Sequence, residues 1–437
     1  MEGGARKIVT IFIVCSIFLP PTSARLGPKG LRIGFYENSC PRAEEIVAEV
    51  VSEAYRKDPG IAAGFLRIFF HDCFVNGCDA SILLDSTPSG GKIEKDSPAN
   101  GKFLRGFEVI DTAKARLESE CPGIVSCADT LSFATRDGSV LAGVPQYNMP
   151  GGRRDGLVSR AEDVGRNMPF FNAPIQQITE LFVKKGLTQE EMVVLTGAHS
   201  IGVAHCPSFA YRVNKYNDTF QTDPKLDDAD SANIKSACQR QVSNEEIEKT
   251  TLPFDTHTPF KMDGGFYTNL LKGTGLIESD QAMALDPRTR PVVERLAEDE
   301  GKWLNQFGRA MSRLAAVDVK TGSEGEIRKQ CRSVNLENKG NTGIAQNLGK
   351  TNNDEDPGKL DEVEDSGKSD YAEDASTHVN SSDVVQSGNY FDSSHTFDSG
   401  INFDSSNTAG LSDSSDYTHH FPSNSIDSLH DFMRTMP

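Results

Sequence analysis

A predominantly α-helical body followed by a polar tail is the architecture the sequence predicts. From about Leu31 to Val334 apolar residues recur at helical spacing and strand-like alternation is scarce, whereas after Asn335 the composition turns to Asp, Ser, Asn and Gly. The first stripe is Ile46, Val47, Val50, Val51 and Ala54, behind Pro41, a residue suited to a first helical turn. Phe107, Ile110 and Leu117 mark a second helix, Ile175, Ile178 and Leu181 a third, and Phe307, Met311 and Leu314 a last. Thr188 and Glu191 form a capping box that opens EEMVVLTGAHS.

Residues 1–24 read as a secretory leader: Arg6 and Lys7 precede an apolar run from Ile8 to Leu19, and Thr22 and Ala24 supply small residues for cleavage. The run is too short to span a bilayer, which leaves a retained anchor as the minor alternative. Residues 25–335 form the predicted folded domain and 336–437 the tail. Of nine cysteines one, Cys15, lies in the leader. The remaining eight, an even number in an exported chain, suggest four disulfides, with pairing left open. No paired CxxC argues for zinc.

The net charge of −18 is uneven: residues 336–437 hold 19 acidic and five basic side chains, so the rest of the chain is nearly balanced at −4. Neither part has the basic surplus that nucleic acid or an anionic membrane would select. The tail also carries a six-residue repeat, FDSSHT, FDSGIN and FDSSNT, from Phe391, Phe397 and Phe403. It is expected to be disordered, because so few large apolar residues do not offset the entropy of ordering. Glycosylation sequons begin at Asn217 and Asn380.

Chemistry concentrates first in LRIFFHDCFVNGCDAS, Leu66 to Ser81. On a helix, Arg67 and His71 are one turn apart on one face. An imidazole can take and return a proton near neutral pH, and a permanent cation beside it steadies a forming negative oxygen, a pairing suited to cleaving a polar O–O or acyl bond. Asp72, Val75, Gly77, Asp79 and Ser81 then offer hard oxygens of the kind calcium takes, at a spacing unlike an EF-hand. A satisfied core histidine, and a plain turn into a strand at DASILLD, are the competing readings.

A second dense stretch is LTGAHSIGVAHC, Leu195 to Cys206. Small residues around His199 would let a large flat group approach, which suits haem with His199 as axial ligand and His71 free on the opposite side. His205 competes for that role. A ligating histidine usually gives its other ring proton to a carboxylate, and Asp280 in GLIESDQAM is a candidate, with a helix cap as its alternative. Ser200, Asp255, Thr258 and Asp263 read either as a second calcium set or as scattered turn residues.

Taken in order, FLRIFFHDCFVNGCDASILLD, EKDSPANGKFLRGFEVID, VSCADTL, GGRRDG, LTGAHSIGVAHC and LIESDQAM resemble the secretory plant haem peroxidases, the class III family, over roughly Gly34 to Val334. The resemblance implies an all-α, two-part fold, stapled by disulfides, with one haem b between the halves and two Ca2+ ions. It implies His71 as distal acid and base, Arg67 as stabiliser of separating charge, Phe70 as the wall above the haem and Asn100 as the residue orienting His71. His199 would hold the iron, Asp280 would hydrogen-bond it, and Phe254 would be the proximal aromatic, a position that favours small reductants when it is not tryptophan. Asp72, Val75, Gly77, Asp79 and Ser81, with Glu94 through water, would hold one calcium. Ser200, Asp255, Thr258 and Asp263, with the Lys261 carbonyl, would hold the other. The implied bridges are Cys40–Cys121, Cys73–Cys78, Cys127–Cys331 and Cys206–Cys238.

The implied activity is reduction of hydrogen peroxide with one-electron oxidation of small phenolic donors, by a monomer exported to the cell wall. Three departures stand out. NMPFFNAP, with Pro169 as donor contact, is shorter than the family's Pro-x-Pro-Phe run; Tyr147 occupies the position where many members carry tryptophan, the single tryptophan here being Trp303; and the tail passes the usual end, which brings in the vacuole as a second destination. The rival reading from another class is an exported calcium-binding structural protein without catalysis. A hydrolase is disfavoured because neither GxSxG nor HExxH occurs.

Overall fold

Residues 30–335, apart from Ser89 and 239–242, are described by a computed structural model. The leader, the tail with its repeat, and the Asn380 sequon lie outside these residues. Thirteen α-helices are present among the described residues: α1 (Ala43–Lys57), α2 (Ile61–Val75), α3 (Phe107–Glu120), α4 (Cys127–Leu141), α5 (Ala161–Asn167), α6 (Ile175–Lys184), α7 (Gln189–Thr196), α8 (Asp228–Cys238), α9 (Asn244–Lys249), α10 (Gly265–Lys272), α11 (Glu278–Leu285), α12 (Arg290–Glu298) and α13 (Glu300–Leu314). The only strands among them are β1 (Val203–His205) and β2 (Thr251–Pro253), an antiparallel ribbon with Val203 opposite Pro253 and His205 opposite Thr251.

The local signals act as chemistry requires. α1 carries Glu44 and Glu45 in its first turn and Arg56 and Lys57 in its last, complementing the helix dipole, and buries Ile46, Val47, Val50 and Val51. Pro41 is not in its first turn: the helix starts at Ala43 and Pro41 lies in the turn before it. The Thr188–Glu191 capping box opens α7. DASILLD does not enter a strand; Ser81–Leu83 is a short 3-10 turn.

α2 is apolar on nearly every side and is correspondingly enclosed, packed on α4 and touching α1 and α5. Glycine makes the close crossing possible: a Cβ on Gly138 would lie 3.0 Å from the Phe65 ring and 3.5 Å from the Ala62 Cα. One large core joins α1–α4 to α6, α7 and α10–α13. A smaller core of Ala204, Cys206, Phe209, Val213, Ile234, Cys238 and Ile277 lies by the ribbon.

Buried polar stitching joins remote segments. Arg153, fully enclosed, donates to Asp129 Oδ1 at 2.7 Å, to the Pro150 carbonyl at 2.7 Å and to the Ala315 carbonyl at 2.8 Å. Asp129 Oδ2 accepts from the Tyr36 hydroxyl at 2.7 Å and the Gly152 N–H at 2.6 Å. Asp155 accepts from the Cys127, Ala128 and Arg328 N–H groups, satisfying donors at the start of α4. Four disulfides join Cys40–Cys121, Cys73–Cys78, Cys127–Cys331 and Cys206–Cys238, the pairs the family resemblance implies. No helix among the described residues is long and apolar enough to cross a membrane.

Removing one partner of the enclosed Asp129–Arg153 pair leaves an uncompensated charge. Asp129→Ala is expected to lower the unfolding free energy by about 3–5 kcal/mol, measured by denaturant titration under circular dichroism; a loss no larger than that of an exposed ion pair would contradict the assignment.

Candidate active site

Helix α2 presents Arg67 and His71 on one face. The His71 Nδ1 lies 2.5 Å from the Asn100 Oδ1, while the Asn100 Nδ2 donates to the Glu94 carbonyl at 2.6 Å. That second bond orients the amide, so its oxygen faces the imidazole and the ring proton is assigned to Nδ1. No hydrogen bond among the described residues engages Nε2, leaving its lone pair available. The Asn100 carbonyl also accepts from the Arg67 Nη2 at 3.1 Å, so one residue fixes both side chains. Burial, reinforced by the Arg67 charge and opposed by the Asn100 bond, pushes the His71 pKa down to about 3. Arg67 is reached by solvent yet flanked by protein that lowers its pKa. Phe70 is half-buried, its ring centroid 4.2 Å from Phe74 and 6.0 Å from Phe182.

The second histidine comes from the turn after α7. The helix ends at Thr196, and Gly197–Ser200 tighten into a 3-10 turn. Glycine is required there, because a Cβ on Gly197 would lie 2.5 Å from the Tyr267 hydroxyl and 2.6 Å from Trp303. The His199 Nδ1 is 2.8 Å from the Oδ2 of Asp280, a buried side chain in the first turn of α11. Asp280 therefore serves His199 and is not a helix cap. Phe254 stacks on the imidazole at 4.2 Å with planes 3° apart. The His199 side chain is 37% exposed and its Nε2 is unengaged among the described residues. This turn touches α2, and a Cβ on Gly202 would come within 2.8 Å of the Ala63 Cβ. His205 is differently placed: its Nδ1 meets the Glu248 carbonyl at 2.8 Å and its ring stacks on Phe103 at 4.3 Å, with no carboxylate behind it among the described residues.

The oxygen-rich loop after α2 is brought together. Asp72 accepts from the Ala80 N–H at 2.9 Å, Asp79 from the Ser81 N–H at 3.0 Å, and Glu94 from the Asn76 amide at 2.8 Å. The Ser81 Oγ and Glu94 Oε2 are buried without a hydrogen bond of ordinary geometry. Gly77, at φ 87°, turns the chain tightly against Asp318, where any Cβ would collide with the carbonyl. Burial and the Asp79 charge raise the Glu94 carboxyl to about 8, and burial with Asp79 and Glu94 raises Asp72.

Ser200, Asp255, Thr258 and Asp263 also converge. The Ser200 Oγ accepts from the Asp263 N–H at 3.0 Å and lies 3.2 Å from the Lys261 carbonyl. A Cβ on Gly265 would touch both Asp255 Oδ2 at 2.5 Å and Asp263 Oδ1 at 2.9 Å, so the two buried carboxylates flank one small space. Among the described residues no three His, Cys, Asp or Glu side chains close on one point. A cation in either loop would therefore add carbonyl and hydroxyl oxygens to the carboxylates, a mixed set that suits calcium.

Pro169 is half-buried on the segment joining α5 to α6, between Met168 of the large core and Phe170 packed against it. Asn217 is exposed; its Oδ1 caps the turn through the Thr219 and Phe220 N–H groups, and its Nδ2, the atom a glycan attaches to, makes neither bond. Tyr147 lies at 3.1 Å from the Ser139 hydroxyl. Sequence reading missed Tyr267, Trp303 and Lys320 as neighbours of these sites: Trp303 donates to the Val194 carbonyl at 3.2 Å beneath the His199 turn, and Lys320 donates to Asp79. Only the buried, solitary tryptophan was a signal, and nothing local marked Lys320.

A family model described as Peroxidase matches residues 47–299. The chain is 45% identical over 305 residues to Peroxidase 5 of Vitis vinifera, covering 70% of this chain and 92% of that one. It is 41% identical over 330 residues to Peroxidase 19 of Arabidopsis thaliana, covering 74% and 94%. To Peroxidase 1 of Zea mays it is 40% identical over 339 residues, covering 77% and 91%.

His71 is expected to remain neutral far below the ordinary histidine range. Its ring-proton NMR shift should hold its neutral value from pH 8 to pH ~4 and titrate near 3; a midpoint near ~6.5 would show an imidazole that behaves as if in water.

Proposed function

The chain belongs to the class III plant haem peroxidases, and from that premise we propose that Arg67, His71 and Asn100 form its peroxide-cleaving face while His199 and Asp280 hold the haem iron from the other side. As a haem peroxidase it reduces hydrogen peroxide to water and oxidises a donor. The observation that carries the residue assignment is the pair of histidines, each held through Nδ1 with Nε2 open, on elements that touch.

A haem fits these residues. His199 is exposed at its ring, backed by a carboxylate and lined by a stacked phenylalanine, with its Nε2 left free for a ligand. Bound haem supplies the redox-active iron and ring that take up the two oxidising equivalents of peroxide. His71 Nε2 accepts the proton of the incoming peroxide and returns it to the departing oxygen. Its low pKa keeps that lone pair available in acidic surroundings, and Asn100 keeps it aimed. Arg67 lies one turn away, where its fixed charge stabilises the oxygen that becomes negative as the bond stretches. Asp280 accepts the His199 Nδ1 proton and so makes Nε2 a stronger donor to iron.

The site takes one haem b, and the two oxygen-rich loops take one Ca2+ each: Asp72, Val75, Gly77, Asp79 and Ser81 with Glu94 beyond them, and Ser200, Asp255, Thr258 and Asp263. Support for the first comes from the buried oxygens of Asp72, Asp79, Ser81 and Glu94 gathered in one loop, and for the second from the carboxylates flanking Gly265. The donors are small phenols oxidised one electron at a time, with Pro169 as their contact. The protein acts as an exported monomer, glycosylated at Asn217, in the cell wall or, through its tail, the vacuole. The non-catalytic structural alternative has no observation in its favour.

Purified protein should show a ferric Soret band that shifts with one equivalent of hydrogen peroxide and returns on addition of guaiacol; no haem band after reconstitution with haem and calcium would overturn the reading. His71→Ala should keep the resting band, because His199 is untouched, and slow the peroxide step in stopped flow by ~10²–10⁴-fold or more, since one group serves as base and then acid.

A further inference from the structure

The Asp72–Glu94 loop holds three buried carboxylates, and one cation is paired with them among the described residues. Lys320, a residue 241 positions after Asp79, donates from Nζ to the Asp79 Oδ2. The choice of oxygen matters. Asp79 Oδ1 accepts from the Ser81 N–H, so Oδ2 is the oxygen that the loop's own main chain leaves open. The ammonium takes the atom a metal ion would need.

The lysine is placed to occupy that atom and also to leave it. Its carbonyl accepts from the Arg154 N–H at 2.9 Å, which fixes its main chain beside the loop. Its side chain is 32% exposed, against 2% for Asp79, so the ammonium has a route to water that the carboxylate lacks. On the other side of Asp79, a Cβ on Gly156 would approach Oδ2 to 2.2 Å, so main chain closes the space the lysine does not. The Ser81 hydroxyl lies against the Glu94 carboxylate, and neither is served by the lysine.

We propose that Lys320 is a built-in competitor for calcium at this loop: its ammonium neutralises Asp79 when the ion is absent and must be displaced from Oδ2 when the ion binds. The inference rests on the calcium reading of the loop. The chain thereby keeps the loop folded at low calcium at the cost of affinity, because two cations on one carboxylate oxygen repel each other and only one can stay.

The test is calorimetric titration of Ca2+ into haem-loaded, chelator-stripped protein, wild type and Lys320→Leu. The second loop serves as internal reference, identified as the class of sites lost in Asp255→Asn. Lys320→Leu should bind calcium at the first loop at least tenfold more tightly, about 1.4 kcal/mol, with the reference site unchanged. Its thermal midpoint without calcium should fall below that of wild type and its gain on adding calcium should be larger. Lys320→Arg, which keeps the charge, should stay near wild-type affinity, and Lys320→Met replaces leucine if that variant does not fold. Equal or weaker calcium affinity in Lys320→Leu would overturn the competition while leaving the calcium reading intact. No calcium binding at the first loop in either protein would overturn both.

Discussion

The enclosure of α2 is the constraint on which the rest of the molecule depends. A helix apolar on almost every side has one stable place, the interior, and there its few polar groups become expensive unless each is satisfied. His71 is held by Asn100, Asp72 by main-chain N–H groups, and Arg67 by the Asn100 carbonyl, with its side chain reaching solvent. Burial that would be a liability for an ordinary histidine is useful for a base, because it removes competition from solvent protons. The same helix then runs directly into the oxygen-rich loop, so the position of one is mechanically tied to the shape of the other.

Asn100 and Glu94 make that tie concrete. Asn100 faces His71 with its oxygen and Glu94 with its nitrogen, and the Glu94 side chain turns into the loop beside Asn76. A displacement of the Glu94 segment would therefore reach the imidazole through one rigid amide. On the opposite side, Gly197 lets the His199 turn sit directly on Trp303 and Tyr267, and Phe254 closes the remaining face. Both histidines are thus aimed by contacts that leave one ring nitrogen unused.

What could be read from the sequence was whatever is local. Arg67 and His71 share a face because they are four apart on a helix, and Thr188 with Glu191 announces its capping box within one turn. The sequence separations of 81 between His199 and Asp280, and of 29 between His71 and Asn100, hold no periodicity that could bring them together; only the resemblance to a known family suggested those pairs. The β1–β2 ribbon was invisible because strands of three residues are too short for alternation to show. Asp79 and Lys320 are farther apart still, and a lysine in a polar stretch gives no hint that it will meet a buried carboxylate.

The bridge between Cys127 and Cys331 spans 204 residues, and around it Arg328 donates to the Ala80 and Gly156 carbonyls while Arg153 reaches Ala315. These contacts join the beginning of the domain to its last described stretch. A ribosome delivers that stretch well after the first helices, which wait through much of synthesis with these carbonyls and one thiol uncommitted. Locking of the domain therefore waits for this late stretch to emerge, and a chain truncated by a premature stop codon before Arg328 would leave the first helices without their clasp.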